Sequence, residues 1–583
     1  MSKPLSAVSD AQNAPRTFDN PPKNEGVRET FESIIVALIL AFVFRAFVVE
    51  AFVIPTGSMA PSLRGMHANH RCANCQYCFA YGIKEPVIID GRQHRQGTLA
   101  KPYSVKCPNC GWDGAGNTGL NSLESPVIPC SGDRILVLKW PYDIGGALLG
   151  PKRWDVGVFK NPQDGEMNYI KRIVGVPGEV LEIIDGDVYT AKADTVPAEI
   201  LDILRVPVPD RELAANTLSE LSRRLKIQRK TDLAQESLWM LHYDHDFPSA
   251  RNSQDSHAYN FDPPHWAPHD SDSGWDAGGP VVRYEPKDPE WRWLELAGHA
   301  IQDDYGYNNV STDHDQQSGP YFVGDVRLRF VATPRSSDGE LALRISKGQD
   351  RFQVTINAAG DVQLDKIDMT GLPRNSEGIH RKLATGRLPR PLSAREPVQF
   401  ELQNLDYRVS LKVDGVEVVA TSDEDYSPDA QQLMQMRGAP GPNDYYSRAR
   451  LSIGVRAMPL EMRHLQVHRD VYYTSRTHLY DPEGGAHSAS GEPAWGTQGN
   501  PIFLRSEPAE YFCCGDNSPQ SQDSRLWVTT SRFLKSRPDY QRGTVPADQL
   551  IGRAFFVYWP SGLRFSKSTI GVIPNVGRMR FIR

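Results

Sequence analysis

FESIIVALILAFVFRAFVVEAFVIPTGSMAPSL, Phe31 to Leu63, opens as the one long apolar run of the chain and closes in a Pro-Thr-Gly turn that sets Ser58 between a glycine and a methionine. From Ile34 to Ile54 only Arg45 and Glu50 interrupt the run. A helix of that length rises roughly 31 Å, about one hydrocarbon thickness. Both charged residues fall toward its exit end, where long side chains reach headgroups. The reading is a transmembrane helix over 31–54 behind a polar, disordered cytoplasmic tail over 1–30. A cleaved export signal fits less well, because mixed-charge residues precede the run and Pro55 replaces a small-x-small cleavage pattern.

The remainder is long enough for several cores, since the chain has 583 residues. Its 44 prolines and 47 glycines are spread without period and favour turns and strands, so the fold class expected is mainly β. A net charge of -6 offers no basic excess, which excludes nucleic acid as the expected partner.

A serine hydroxyl attacks poorly until a base takes its proton, and no nearby histidine has a nucleophile-elbow context. Farther along, NYIKRIVGVPGE, Asn168 to Glu179, reads as a strand entering a Pro-Gly turn. Period-two alternation puts Lys171 on one face with Tyr169 and Ile173 and turns Arg172 to the other. Apolar neighbours lower a lysine pKa by desolvation, at about 1.4 kcal/mol per unit, until a neutral amine can act as base.

Segment order adds weight. SGDRILVLKW (Ser131–Trp140) precedes the lysine strand, and GDNSPQSQDSR (Gly515–Arg525) lies far downstream, followed by VPADQLIGRAFFVYWP (Val545–Pro560). With the membrane run and the serine box, these segments resemble bacterial type I signal peptidase, over roughly a quarter of the chain and in family order. The resemblance implies a discontinuous β catalytic core over 55–65, 131–189 and 506–583. It makes Ser58 the nucleophile and Lys171 the general base, with the oxyanion held by the Ser58 N–H and the Thr56 hydroxyl. Ser521 would orient the amine, and Asp523 with Arg525 would form a structural ion pair. Phe52, Ile54, Leu63, Tyr169 and Ile170 are the matching candidates for shallow pockets that accept small side chains. Asp516 and Asn517 read as ordinary turn residues. The implied partners are signal-peptide-bearing precursors and the lipid bilayer. The implied location is the inner cell membrane, single-pass, with the amino terminus inside and the catalytic domain on the exported side. No catalytic cofactor is implied.

Two insertions interrupt this core. In 66–130, Cys72 with Cys75 and Cys107 with Cys110 form two C-x-x-C knuckles, a zinc-ribbon-like pattern that implies a structural zinc. Disulfides are the alternative in an oxidising compartment, with Cys78 and Cys130 free for a bridge under either reading. Adjacent Cys513 and Cys514 read as buried packing. The second insertion passes through a helix and polar linker region over 190–318, where a His- and Asp-rich stretch marks a solvated loop. Seven alternating segments then suggest a β-sandwich over 319–473, with Val413-Asp414-Gly415-Val416 as a hairpin turn, and a return linker follows over 474–505. The sandwich resembles concanavalin-like jelly-roll domains, which makes carbohydrate the partner it suggests; no paired-carboxylate motif supports glycosidase chemistry.

Two rivals stand beside the peptidase reading. One is a catalytically silent, membrane-tethered carbohydrate-binding or scaffold protein, against which the joint presence of Ser58, Lys171, Thr56 and Ser521 argues. The other is a soluble self-cleaving regulator with the same chemistry, which the apolar run and the lack of a DNA-binding element oppose.

Overall fold

The computed structural model describes residues 25–82, 87–89, 92–94, 107–112, 130–205, 215–249, 262–303, 305–308, 321–371, 377–437, 449–473, 494–497, 499–561 and 575–582. Most of the expected tail therefore lies outside the described residues, as does much of the return linker. The first unit, residues 1–50, is described by the helix Glu25–Phe47. Its stretch Arg28–Phe47 is apolar and long enough to cross a membrane by length and composition.

The helix does not occupy 31–54. It starts at Glu25, inside the expected tail, and ends at Phe47, after which Val49–Val53 is a strand. The chain VVEAFVI is as apolar as the helix before it, but its β-branched and aromatic residues suit a pleated surface. Pairing beside Arg134–Leu138 claims them, and the Ile54 N–H donates to the Asp133 carbonyl at 2.9 Å.

Residues 51–583 form the second unit. Its catalytic-core candidate is a sheet in the order Val49–Val53, Arg134–Leu138, Leu550–Trp559, Val156–Lys160, Asn168–Gly175, Glu510–Cys514 and Val545–Pro546, with Arg580–Phe581 on Leu550–Trp559. A smaller sheet runs Lys226–Ile227, Asp187–Lys192, Glu179–Ile184, Ile502–Leu504. The long insertion thus leaves from one neighbour of Glu179–Ile184 and returns as the other. Ile502–Leu504, expected within a linker, is a strand of this sheet.

The sandwich is larger than 319–473. One sheet contains Val326–Pro334, Val398–Leu405, Arg408–Val413, Val416–Ala420 and Leu460–Arg469, but also Met240–Asp244, Trp275–Asp276 and Val282–Tyr284. The other contains Glu340–Lys347, Asp350–Asn357, Asp361–Asp368, Ile379–Arg387 and Ala449–Arg456, together with His265–Pro268 and Arg292–Ala297. The span expected as helix and linker therefore supplies strands to both sheets. These strands are only two to six residues long, so they show no long alternation to read. Between the sheets, alternate residues such as Phe330, Phe400, Leu343, Val354 and Ile453 make one core. Asp414 and Gly415 both have positive φ (48° and 82°), as a two-residue hairpin turn between right-twisted strands requires.

A buried ionic network joins sandwich and core. Lys347 Nζ donates to Asp325 at 2.9 Å and to Asp187 of the small sheet at 3.2 Å, and Lys230 pairs with Asp406 at 2.6 Å and Asp470 at 2.7 Å. Burial pushes the Asp187 and Asp325 carboxyls up, whereas burial of Lys347 is outweighed by those two aspartates and its pKa stands well above the usual lysine value. Removing one partner of such a group leaves uncompensated charge, at a cost of about 3–5 kcal/mol. Lys347→Met should therefore lower the urea midpoint sharply at pH 7. Carboxyls whose folded pKa is raised oppose folding above that pKa and cease to do so below the unfolded value, so the difference from wild type should shrink toward pH 4. An equal deficit at both pH values would show that the loss is packing alone.

Candidate active site

Ser58 lies in a tight loop, and two glycines explain how the loop closes. A side chain on Gly132 would collide with the Ile54 carbonyl, and one on Gly65 with the backbone of Thr56. Asp133 then pins the loop: its carboxylate accepts from the Arg64 N–H at 2.9 Å while its own N–H donates to the Arg64 carbonyl at 2.8 Å. Ser58 is half-buried and Thr56 exposed. Among the described residues neither the Ser58 N–H nor the Thr56 hydroxyl has a hydrogen-bond partner.

Lys171 comes from the strand Asn168–Gly175, paired with Val156–Lys160 on one side and Glu510–Cys514 on the other. Its Nζ donates to Ser58 Oγ at 2.6 Å, with the Tyr169 ring centroid 5.2 Å away. The side chain is 4% exposed, and burial lowers its pKa to about 8 against the opposing pull of Asp523, Cys513 and Asp516. An amine that becomes neutral as the pH rises through about 8 and is hydrogen-bonded to a hydroxyl can accept that hydroxyl's proton.

On the opposite face of the strand, Arg172 donates bidentately to Asp516 at 2.8 and 2.7 Å, with both side chains inaccessible to solvent. Asp516 is therefore a buried ion-pair partner and not the ordinary turn residue expected. Asn517 is not an ordinary turn residue either. Its side-chain amide donates to the Gly57 carbonyl at 2.9 Å and its N–H to the Ser58 carbonyl at 3.1 Å. Its sequence signal was only its place beside Asp516.

Asp523 and Arg525 form a second buried bidentate pair at 2.8 and 2.6 Å, and Asp523 also accepts from the Gly515 N–H at 2.8 Å. Burial works to raise the Asp523 carboxyl, but the Arg525 guanidinium holds it below the usual carboxylate value. The Ser521 hydroxyl is buried and, among the described residues, has no hydrogen-bond partner in acceptable geometry; it does lie close enough to Asp523 to help lower its pKa. Its expected hydrogen bond to Lys171 is not formed. Cys513 and Cys514 are buried, and burial pushes both thiols up.

The pocket candidates divide. Ile54 and Leu63 are fully buried in a cluster with Ile135, Val137 and Val158, so they are core beneath any pocket. Phe52 and Ile170 are half-buried against that cluster. Tyr169 packs elsewhere, edge-on to Phe159.

Cys72, Cys75, Cys107 and Cys110 converge, with all four sulfurs within 4.8 Å of one another and every side chain buried. The Sγ···Sγ separations Cys72–Cys110 and Cys75–Cys107 are both 3.6 Å. A disulfide needs about 2.05 Å, whereas Zn–S bonds of about 2.3 Å in a tetrahedron place sulfurs roughly 3.8 Å apart. The knuckles match: Gln76 N–H donates to the Cys72 carbonyl and Gly111 N–H to the Cys107 carbonyl, each from positive φ. Asn74 and Asn109 point their amides at Cys110 and Cys75. These four cysteines can hold a metal ion. Cys78 and Cys130 are free thiols.

With this geometry described, the sequence comparisons with known proteins point to one class. The model of the signal peptidase, peptidase S26 family matches residues 125–265 and 458–559. Signal peptidase I of Rickettsia typhi is 24% identical over 171 residues, 29% of this chain and 46% of that protein. Signal peptidase I of Pseudomonas aeruginosa is 30% identical over 150 residues, 26% of this chain and 32% of its own length. The chain thus spans less than half the length of these relatives, and the matches support a signal peptidase-type protease. Among solved structures, a galectin-like protein of unknown function from Bacillus subtilis is 12% identical, with 40% of this chain and 99% of that one covered at a TM-score of 0.25. A carbohydrate binding module from Bacillus subtilis gives 0.22, at 11% identity and 35% and 94% coverage. Scores this low decide nothing, and the sandwich rests on its own strand order.

Protein purified without added metal should contain about one tightly bound equivalent, lost in Cys107→Ser, as measured by elemental mass spectrometry. Metal-free wild-type protein with disulfide-linked Cys72 and Cys110 would remove the site.

Proposed function

We propose that this protein is a membrane-anchored serine endopeptidase that removes signal peptides from exported precursors, with Ser58 as nucleophile and Lys171 as general base. The observation that carries the reading is the 2.6 Å contact between Lys171 Nζ, buried and with a pKa near 8, and Ser58 Oγ. Neutral Lys171 takes the hydroxyl proton as Oγ attacks the scissile carbonyl. The ammonium returns that proton to the departing amine, and water then cleaves the ester with Lys171 again as base. The free Ser58 N–H and the Thr56 hydroxyl face the developing oxyanion. The Asp523–Arg525 pair holds the segment behind Lys171 that also carries Ser521. Phe52 and Ile170 line the shallow apolar slot, floored by Ile54 and Leu63, that admits small side chains.

The helix Glu25–Phe47 is the bilayer anchor. The amino terminus is cytoplasmic and the catalytic domain lies on the exported face of the inner membrane, where the scissile bond emerges. The cysteine cluster holds a structural zinc with no open position for water, so catalysis needs no metal. The sandwich is proposed to face carbohydrate. In its support, Arg344 lies over the Trp293 ring at 3.6 Å and donates to Gln353 at 2.7 Å, forming an aromatic and amide row on one sheet.

Ser58→Ala, Lys171→Ala and Lys171→Arg should each abolish cleavage of a purified precursor without loss of fold, since guanidinium stays charged and accepts no proton. Because the neutral amine is the active form, kcat/KM should rise about tenfold per pH unit below pH 8 and level off above it. A rise centred at pH 6–7 would instead assign the base to a histidine. Thr56→Val should cost roughly 10²-fold in kcat, with Thr56→Ser nearly silent.

A further inference from the structure

The segment Gly306–Asn308 belongs to the long insertion, yet it reaches the loop that carries Ser58. Asn308 and Asn517 pair side chain to side chain in both directions, Nδ2 to Oδ1 at 2.6 Å and 2.7 Å. The second hydrogen of the Asn517 amide goes to the Gly57 carbonyl at 2.9 Å. Both hydrogens and the oxygen of Asn517, which is 1% exposed, are therefore committed. Without Asn308 the amide can turn over with little change of shape and present oxygen to the Gly57 carbonyl, a repulsive contact.

Orientation of that carbonyl matters because Gly57 C=O and Ser58 N–H belong to one peptide unit. The unit is planar and trans, so the two groups point in opposite directions. The Gly57 carbonyl accepts from the Ala60 N–H at 3.0 Å as well as from Asn517, and the two donors together aim the Ser58 N–H away from them. The next peptide is fixed as well, by Asn517 N–H on the Ser58 carbonyl at 3.1 Å. Beneath the loop, the Tyr307 ring edge fills the space that a side chain on Gly57 would occupy, and meets Gly82 of the cysteine hairpin in the same way. The Tyr307 hydroxyl donates to the Met66 carbonyl at 3.4 Å.

We infer that Asn308 is a positioning residue: through Asn517, and alongside the Ala60 N–H, it fixes the Gly57–Ser58 peptide plane and so the aim of the Ser58 N–H at the oxyanion. The inference rests on the proposed peptidase reading and deepens it, since it gives an insertion segment a part in the chemistry. An N–H that is misaimed binds substrate as before but stabilises the transition state less, so the effect falls on kcat.

The test uses the full chain in detergent micelles with a purified precursor. Asn308→Ala should lower kcat about tenfold with KM changed less than twofold and the pH midpoint near 8 kept. Asn308→Asp, of nearly equal size, retains an acceptor for Asn517 Nδ2 but turns an oxygen on Asn517 Oδ1, and should show the same loss. Asn517→Ala should cost about 10²-fold, and adding Asn308→Ala to it should cost nothing more, because Asn308 acts only through Asn517. Wild-type kcat in both Asn308 variants, a change confined to KM, or losses that add in the double variant would each overturn the inference while the peptidase reading stands. Wild-type protein no more active than Ser58→Ala would defeat the peptidase reading itself, and the inference with it.

Discussion

A lysine amine can serve as base at 2.6 Å from a hydroxyl only if it is buried and yet denied a carboxylate of its own. Two aspartates lie close enough to raise its pKa, and either one, if free, would hold it as an ammonium. Each is instead occupied by an arginine. Arg172 engages both oxygens of Asp516, and Arg525 both oxygens of Asp523, in pairs closed to solvent. Guanidinium suits this use because its planar fork satisfies a carboxylate bidentately and it does not deprotonate. The two ion pairs therefore rigidify the walls of the site and also keep negative charge from reaching Lys171, so that desolvation prevails.

That arrangement explains which residues could be read from sequence. Ser58 and Lys171 stand in short motifs whose local form matches their final form, a turn and an alternating strand, and alternation alone separates Lys171 from Arg172. Asp516 and Asn517 follow a glycine, and any such triplet reads as a turn. Their meaning depends on Arg172, 344 residues away, and on Gly57, 460 residues away. Spacing rules have no purchase on contacts of that separation. The helix boundary failed for a related reason. Apart from Arg45 and Glu50 the apolar run continues from the helix into Val49–Val53, and the neighbouring strand Arg134–Leu138 determines where helix stops. The hairpin at Asp414-Gly415, by contrast, is set by two residues with positive φ, and local chemistry suffices there.

The long insertion is tolerated because its ends are neighbours on one sheet. Asp187–Lys192 and Ile502–Leu504 flank Glu179–Ile184, so the chain leaves and returns across a single strand width without disturbing the larger sheet. Closure of so long a loop costs only logarithmically in its length. A tethered domain would nonetheless swing freely unless something held it, and the Lys347 and Lys230 networks supply a fixed register with Asp187 as the contribution of the core.

Fixed register is what allows an insertion segment to meet the serine loop at hydrogen-bond precision. Amide pairing such as that of Asn308 with Asn517 fails if either partner shifts by about an ångström, since bonds beyond roughly 3.5 Å are lost. A flexibly linked sandwich could not sustain it. At Tyr307 three pieces of different origin converge: the serine loop through Gly57, the cysteine hairpin through Gly82, and the insertion that carries the ring. Glycine at both 57 and 82 follows from this, because the ring leaves no room for a side chain on either flank. The cysteine hairpin thus bears on Ser58 through one aromatic ring, and a disturbance of the hairpin at Gly82 has a direct steric path to the serine loop.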